Sequence, residues 1–474
     1  MAVSPPSGKT FDRSIIDGPI ARAVWRLAWP TMLQNVISGL QGVVDHALVG
    51  HLVGYTGNAA IGVSLQIFII VIVFLASLFT GMSVLVARFA GANEPEKVNR
   101  TVYQAFIAST ALCVGILAPL GWVLSPSLLR LVNATAEVRA EALPYLRIMF
   151  VFSLGMMLFF MLGAALRSAG DARTPLRLGI ALTVLNVVLN VIFIRGLGPI
   201  PAFGTAGAAI GAALAGIVVS GAAIYLLCSG RLVVTWHRGM GLRPDWATIR
   251  ALFRFGLPTG VQGIAMNIGG LLLLRFIGSL AQSAKAQAAY AVGYTELFSL
   301  ITWTSVGLMG AAAAFAGQNL GAGRPERVIR GVHVASGIGL GVAAVVGTLF
   351  LTIPDRLLAL FGMEDPVVVG IGTQLLGFLS VSGLFITTAL TYTGALQGTG
   401  DTRSPLYISI VSQVGVPLGL CAFLDATRGL RPADIWLAIL LGHATRCLLT
   451  VLRFRQGKWR GIRVDIEPAE PVPQ

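Results

Sequence analysis

Twelve times between residues 29 and 452 the chain runs mostly apolar for about the twenty residues that a helix needs to cross a bilayer. In round boundaries the runs are 29–50, 57–85, 101–123, 142–164, 175–195, 204–229, 251–274, 286–314, 331–353, 367–394, 405–424 and 433–452. Composition agrees: 55% of the residues are hydrophobic and 11% are charged, against about 25% charged in ordinary soluble proteins. A soluble fold would lack the polar surface to cover such a core. Soluble enzymes, disordered chains and secreted disulfide scaffolds are excluded, and the expected fold is an all-α membrane protein with twelve transmembrane helices. Pro30, Pro144, Pro175, Pro258 and Pro405 are read as lying near helix starts, where a missing N–H costs little. Pro119 and Pro417 fall inside spans, as kinks.

The net charge of +14 comes from 34 Lys and Arg against 20 Asp and Glu. With the N-terminus inside, the inner segments carry 24 of these bases and the outer segments 9, with Arg446 inside the last span. This is the bias expected of cytoplasmic loops, and an even number of spans places both termini in the cytoplasm. Residues 1–28, with Lys9, Arg13, Arg22 and Arg26 and no apolar core, do not read as a cleavable signal peptide.

The chain also repeats itself. Gly91–Arg100 matches Gly321–Arg330 at six of ten positions, and Ala165–Leu176 matches Ala395–Leu406 at seven of twelve, both at an offset of 230. Arg26, Pro30, Thr31, Gln34 and Gly50 recur 228 residues later as Arg254, Pro258, Thr259, Gln262 and Gly278. Two halves of six spans enter the membrane from the same side, which makes them parallel repeats of the kind that build alternating-access transporters. The expected organisation is a cytoplasmic segment 1–28, an N-lobe 29–229, a cytoplasmic linker 230–250, a C-lobe 251–452 and a cytoplasmic tail 453–474.

These residues carry a family resemblance. The paired Gly-Asp loops Ala165–Leu176 and Ala395–Leu406 follow the fourth span of each half, and Gly317-Gln318-Asn319-Leu320-Gly321-Ala322 follows the eighth. The run Val44-Asp45-His46-Ala47-Leu48-Val49-Gly50-His51 is similar to the first-helix signature of the DinF-like branch. Over residues 20–455 the chain resembles the multidrug and toxic compound extrusion transporters. The resemblance implies a V-shaped antiporter of the bacterial inner membrane that exports bulky, often cationic organic compounds in exchange for H⁺ or Na⁺. The branch usually carries Asn and Asp four apart on its fifth helix, where this chain has Asn186 and Asn190. The acids usual on the seventh and tenth helices of Na⁺-coupled relatives are absent from 255–274 and 367–394, which favours H⁺.

Of the 20 acids, only Asp45 and Glu296 fall well inside the expected spans. A carboxylate at such depth costs roughly 2.5–3.5 kcal/mol on insertion scales, which makes it a functional candidate. Gln34, Ser38, Gln41 and Asp45, spaced 4, 3 and 4 apart, fall within about 60° of one helix face. A polar stripe of this kind faces a wet cavity or another helix; the bland alternative is a carboxylate solvated near the outer helix end. Asp45 is the ion-coupling candidate. Asn186 and Asn190, with Thr183, share a face of the fifth span and can hydrogen-bond Asp45 or simply bond between helices. Glu296, on a face with Gly293, Ser299 and Trp303, is either a cation contact or one half of a structural ion pair with Arg275 or Lys285.

Asp171 with Arg173, and Asp401 with Arg403, are read as loop-structuring ion pairs beside turn-forming glycines. Ser380, Thr387 and Thr391 read as packing hydroxyls, and His443 with Arg446 as hydrogen-bonding between helices. No phosphate loop and no zinc spacing among His46, His51, His237, His333 and His443 occurs, so no catalytic residue, metal or cofactor is expected beyond the coupling ion. Cys113, Cys228, Cys421 and Cys447 read as packing residues. Partners are expected to be a small, cationic organic substrate and the lipid bilayer, with no nucleic acid, and the protein a monomer. Two other readings are a lipid-linked precursor flippase, which would want a cationic cavity, and a membrane-embedded enzyme, which would want a His/Asp/Ser cluster at one depth.

Overall fold

The computed structural model describes residues 11–236 and 243–466, apart from the side chains of Ile70 and Phe74. Lys9 and the start of the 1–28 segment, His237 and Arg238 in the linker, and residues 467–474 of the tail lie outside the described residues. Among the described residues every regular element is a helix.

The chain order is α1 (Ile20–Leu52), α2 (Tyr55–Gly91), α3 (Pro95–Leu131), α4 (Ala136–Val151 and Ser153–Ser168), α5 (Arg173–Arg195) and α6 (Thr205–Cys228), then α7 (Trp246–Gly278), α8 (Ser283–Gly321), α9 (Pro325–Thr352), α10 (Pro366–Thr399), α11 (Arg403–Arg428) and α12 (Pro432–Arg455). Each of the twelve apolar runs falls on one of these helices. Ten are long and apolar enough to cross a membrane as they stand, and α4, bent by 51°, qualifies when its two segments are taken together. The remaining helix, α1, is 33 residues long, but Gln34, Asn35, Gln41 and Asp45 interrupt its apolar character.

The helices overrun the apolar runs at their ends, and this moves the prolines. Pro30, Pro144 and Pro258 lie inside helices, not at starts, because α1, α4 and α7 begin about ten residues earlier in polar and charged sequence. Pro95, Pro325, Pro366 and Pro432 take the first turns instead, where no intrahelical N–H is needed. Pro119 and Pro417 each follow a wide π-helical turn, Cys113–Leu117 and Ile410–Gly415. A proline lacks the N–H and crowds the carbonyl four residues back, and a π turn gives that carbonyl room.

The sequence repeat is a repeat of backbone conformation. Asn93 (φ 62°) and Gly323 (φ 72°) occupy the same place in the matched decapeptides, and both take a left-handed conformation. Gly170 (φ 100°) and Gly400 (φ 101°) do so in the matched Gly-Asp loops. Residues with positive φ end helices cheaply only when Gly or Asn is available.

The packing divides into two units. Among the described residues, one comprises 11–12, 37–236, 243–257 and 464–466, the other Arg13–Val36 and Pro258–Arg463. The division cuts α1 after Val36 and α7 after Leu257. In the first unit the start of α7 packs on α2 with backbones in contact: a Cβ on Gly81 would stand 2.0 Å from the Leu252 carbonyl oxygen, and one on Gly256 2.1 Å from that of Ser77. In the second unit the start of α1 packs on α8, where a Cβ on Gly307 would stand 2.5 Å from Met32 Cα. Gly394 and Gly398 of α10 meet the α8 carbonyls of Met309 and Ala313 at 2.1 Å each in the same way. Small residues let membrane helices approach this closely.

Each of these incoming helices is preceded by a docked strap. In the second unit Arg324 donates to the Ile16 carbonyl (2.8 Å), Arg327 to that of Gly18 (2.8 Å), and Arg324 pairs with Asp17 (2.7 Å). In the first unit the Thr235 N–H donates to Asn99 (3.0 Å), Gln104 donates to the Arg243 carbonyl (3.1 Å), and Arg100 pairs with Asp245 (2.6 Å). Asp17 and Asp245 are 228 residues apart, the offset seen at the first spans. Burial works against the Asp245 carboxylate, but hydrogen bonds from Thr248 and Arg100 outweigh it and hold its pKa below the ordinary value.

The α8–α10 contact gives a direct test. Gly398→Val should destabilise the protein by about 1–3 kcal/mol, because the added atoms meet backbone that cannot move aside. Gly419→Val in α11, where nothing lies within 4 Å of the new Cβ, should leave the thermal midpoint in detergent unchanged.

Candidate functional site

The first unit brings Asp45 of α1 against the amides of α5. Asn190 Nδ2 donates to Asp45 Oδ1 at 2.8 Å and to Asn186 Oδ1 at 3.2 Å. An amide nitrogen has two hydrogens, so one Asn190 side chain serves both acceptors. One turn earlier on α1 and two turns earlier on α5, the Thr183 hydroxyl donates to Gln41 Oε1 at 2.7 Å. The α1 and α5 faces are thus stitched by two rungs, Gln41–Thr183 and Asp45–Asn190. Asn186 and Asn190 are 1% exposed, while Asp45 and Gln41 are half-buried. Ser38 is exposed, and Gln34 is buried in the part of α1 that belongs to the second unit.

Helix α6 completes the wall. A Cβ on Gly211 would lie 2.2 Å from Asn190 Oδ1, so only glycine leaves the amide where it is. That oxygen is buried and has no hydrogen-bond partner among the described residues. Sequence reasoning missed the neighbours on the other side. His46 Nδ1 lies 2.5 Å from Asn58 Oδ1 of α2, and with the amide oxygen as acceptor Nδ1 carries the proton. The buried Tyr145 phenol of α4 lies within electrostatic reach of Asp45. The signal for His46 was the short α1–α2 connection, which returns Asn58 to the level of residue 46.

In the second unit Glu296 sits in a π-helical turn, Ala291–Leu297, within α8. The expected face with Gly293, Ser299 and Trp303 was drawn at 3.6 residues per turn, and the wider turn displaces it. Ser299 donates its hydroxyl to the Glu296 backbone carbonyl. Of the two readings of Glu296, the ion pair with Arg275 or Lys285 is not made: Lys285 pairs with Asp365 at 2.9 Å, and no cation lies within ion-pair distance of Glu296 among the described residues. The hydroxyl of Thr387 meets Ser305 at 2.6 Å, while those of Ser380 and Thr391 bond backbone carbonyls of their own helix. His443 and Arg446, expected to bond between helices, leave Nδ1 and Nε without hydrogen-bond partners among the described residues.

The Gly-Asp loops also differ from expectation. Asp171 accepts from the Arg173 and Thr174 N–H groups (3.2 and 3.0 Å) and from the Thr174 hydroxyl (2.6 Å), capping α5 without an Arg173 ion pair. Asp401 accepts from the Ser404 N–H (3.2 Å) and pairs with Arg453 of α12 at 2.8 Å, not with Arg403, which is exposed. A carboxylate two residues before an arginine at a helix start points to the free N–H groups, while the arginine points outward. Among the described residues no group of three or more His, Cys, Asp or Glu could hold a metal ion, and the four cysteines are unpaired.

A profile of the MatE family matches residues 30–192 and, again, residues 258–422. The chain belongs to the MatE family. The two matches fall one in each six-helix half. Among its relatives are the probable multidrug resistance protein NorM of Thermotoga maritima, 27% identical over 441 residues and 93% of both chains. Another is the multidrug resistance protein PmpM of Pseudomonas aeruginosa, 27% identical over 456 residues, 92% of this chain and 91% of that one. An outward-facing structure of a multidrug resistance MATE family transporter of the MOP superfamily covers 96% of this chain and 100% of its own, with a TM-score of 0.88 at 23% identity, and shares the fold. This is a multi-pass membrane transporter of the MatE family and not an enzyme.

The Asp401 geometry yields a two-sided expectation. Asp401 is 6% exposed at its side chain and Arg453 24%. Asp401→Ala should cost about 1–3 kcal/mol in thermal unfolding, since it strands Arg453 and uncaps α11. Arg453→Ala should fall in the same range, whereas Arg403→Ala should stay within about 0.5 kcal/mol of the parent.

Proposed function

We propose that the protein is a secondary-active antiporter that exports small organic compounds, predominantly cationic, in exchange for entering protons. It works as a monomer in the bacterial inner membrane with both termini in the cytoplasm. The observation that carries this reading is Asp45, a half-buried carboxylate whose hydrogen-bond donor is a neutral amide and not a cation. An arginine partner would hold a carboxylate ionised; an amide leaves both protonation states within reach.

Ionised, Asp45 accepts from Asn190 and offers its negative charge to a cation. Protonated, it carries no charge, and the cation loses its counter-ion. Proton and substrate therefore compete for one group, and by linkage each weakens the other's binding by the same factor. Asn190 serves both states: its N–H groups bond the carboxylate, and its unpartnered oxygen accepts from the acid once the amide turns over. Gln41 holds the neighbouring rung with Thr183, and Asn186 accepts from Asn190 within α5. In the second unit Glu296 offers a contact of its own for a cation. Protons are preferred to Na⁺ because 255–274 and 367–394 carry no acid, so the pair that the family resemblance associates with Na⁺ is missing.

In proteoliposomes an imposed pH gradient alone should drive export of an organic cation. Asp45→Asn should be expressed and melt like the parent, but lose gradient-driven export by about tenfold or more, the usual scale of a coupling term. Transport supported only by a Na⁺ gradient, or parental export by Asp45→Asn at matched expression, overturns the reading. Reporters fused after residues 240 and 474 should both register cytoplasm; an outside signal at either overturns the topology.

A further inference from the structure

The second unit holds a positive charge that its own side chains leave unanswered. Arg446 of α12 is 3% exposed, and His443, three residues before it, 2%. Arg446 Nε and His443 Nδ1 have no hydrogen-bond partner among the described residues, and neither has the indole N–H of Trp436, which is fully buried. Positions 436, 443 and 446 lie within about 80° of one another around a helix, so the three open groups share a face. The acids at the two ends of α12 are already committed: Asp434 pairs with Arg428 at 2.7 Å and Asp401 with Arg453 at 2.8 Å. No carboxylate lies within ion-pair distance of Arg446 among the described residues.

That face meets an aromatic wall on α8. Tyr290 stacks on Trp436 with centroids 6.1 Å apart, Phe298 stacks on His443 at 5.8 Å, and Tyr294 stacks on Tyr290 at 4.9 Å. Tyr294 lies within electrostatic reach of the Arg446 guanidinium. A phenol gives or takes a hydrogen bond but supplies no counter-charge. Guanidinium and indole are donors without acceptor capacity, and a guanidinium does not shed its proton in proteins. Leaving such an ion buried and unpaired costs several kcal/mol. A cluster short of acceptors and of negative charge is complementary to an anion. The wall is carried by the π-helical turn Ala291–Leu297, a type of irregularity frequent at functional sites.

We propose that Arg446, with His443 and Tyr294, forms an anion site inside the second unit. It takes a monovalent anion, either chloride or the carboxylate of an organic acid, with the guanidinium as counter-charge and the α8 rings as an apolar wall. The site is separate from the Asp45 rungs, which lie wholly in the first unit, and does not depend on Asp45 carrying the proton.

The test uses the purified full-length protein with sulfate as background anion, titrated separately with chloride and with benzoate while thermal stability and heats of binding are read. At least one of the two should bind saturably and raise the melting temperature, and which one does so identifies the source. Arg446→Gln should abolish the response. His443→Phe, which keeps the ring stack and removes the nitrogens, should weaken affinity by about tenfold, the scale of one buried charge-assisted hydrogen bond. If Arg446→Gln does not fold, Arg446→Lys and His443→Phe decide the matter: weaker binding in both supports the site, and unchanged affinity in both overturns it. Absence of saturable binding of either anion to the parent protein, or parental binding by folded Arg446→Gln, also overturns it.

Discussion

A peptide group inside a bilayer has no water to bond, so each helix must satisfy its own backbone before anything else can be arranged. The other features of this protein are adjustments to that rule. Pro95, Pro325, Pro366 and Pro432 stand in first turns, and Pro119 and Pro417 behind π turns. The helix ends are closed by Asp171, Asp365 and Asp401 and by left-handed residues at Asn93, Gly170, Gly323 and Gly400. With the backbones satisfied, helices can be brought into contact at glycine, as α10 is against α8. Only then do side-chain polar groups decide function, because each one left inside must find a partner on a neighbouring helix or an incoming ligand.

The polar interior is accordingly sparse, and its two units solve the problem differently. In the first, Asp45 is met by neutral amides and a hydroxyl rung, an arrangement that tolerates a change of charge. In the second, Glu296 and Arg446 each lack an opposite charge among the described residues, and rings of α8 stack on Trp436 and His443 of the helix that carries Arg446. Halves with matching loops and matching helix ends have thus diverged where chemistry is concerned. Gln66 stands 230 residues before Glu296, so the acid has no counterpart in the first half.

Much of this was legible in the sequence. The twelve apolar runs gave the helices because their length is set by the bilayer, and the 230-residue offset marked loops that share backbone dihedrals as well as letters. Helical spacing put Gln41 and Asp45 on one face of α1, but that this face meets the α5 amides was one of two readings and rested on the family resemblance, since spacing does not say which helix a face meets. Other features were not legible. The face of Glu296 was misdrawn because a π turn adds a residue that no periodicity announces. Arg453 lies 52 residues from Asp401, and no local pattern points to it in preference to Arg403, two residues away. The loss of partners at His443 and Arg446 depends on what surrounds them, which no spacing records. The division of α1 after Val36 and of α7 after Leu257 is a property of packing alone, since both helices continue through it.

The strap before α1 has a consequence for how the chain is made. Ile15, Ile16 and Gly18 offer their carbonyls to Arg324 and Arg327, about three hundred residues downstream. At a synthesis rate of about 5–20 residues per second, the ribosome takes roughly 15–60 s to deliver those arginines after the strap has emerged. The opening segment therefore waits, with Ile15 and Ile16 uncovered, while eight helices are inserted behind it. The first unit's strap, around Thr235 and Asp245, has no such delay, because Asn99, Arg100 and Gln104 precede it. Assembly of this transporter is thus ordered in time: the strap of the first unit docks on a helix already present, and the second unit cannot finish until the earliest part of the chain is retrieved.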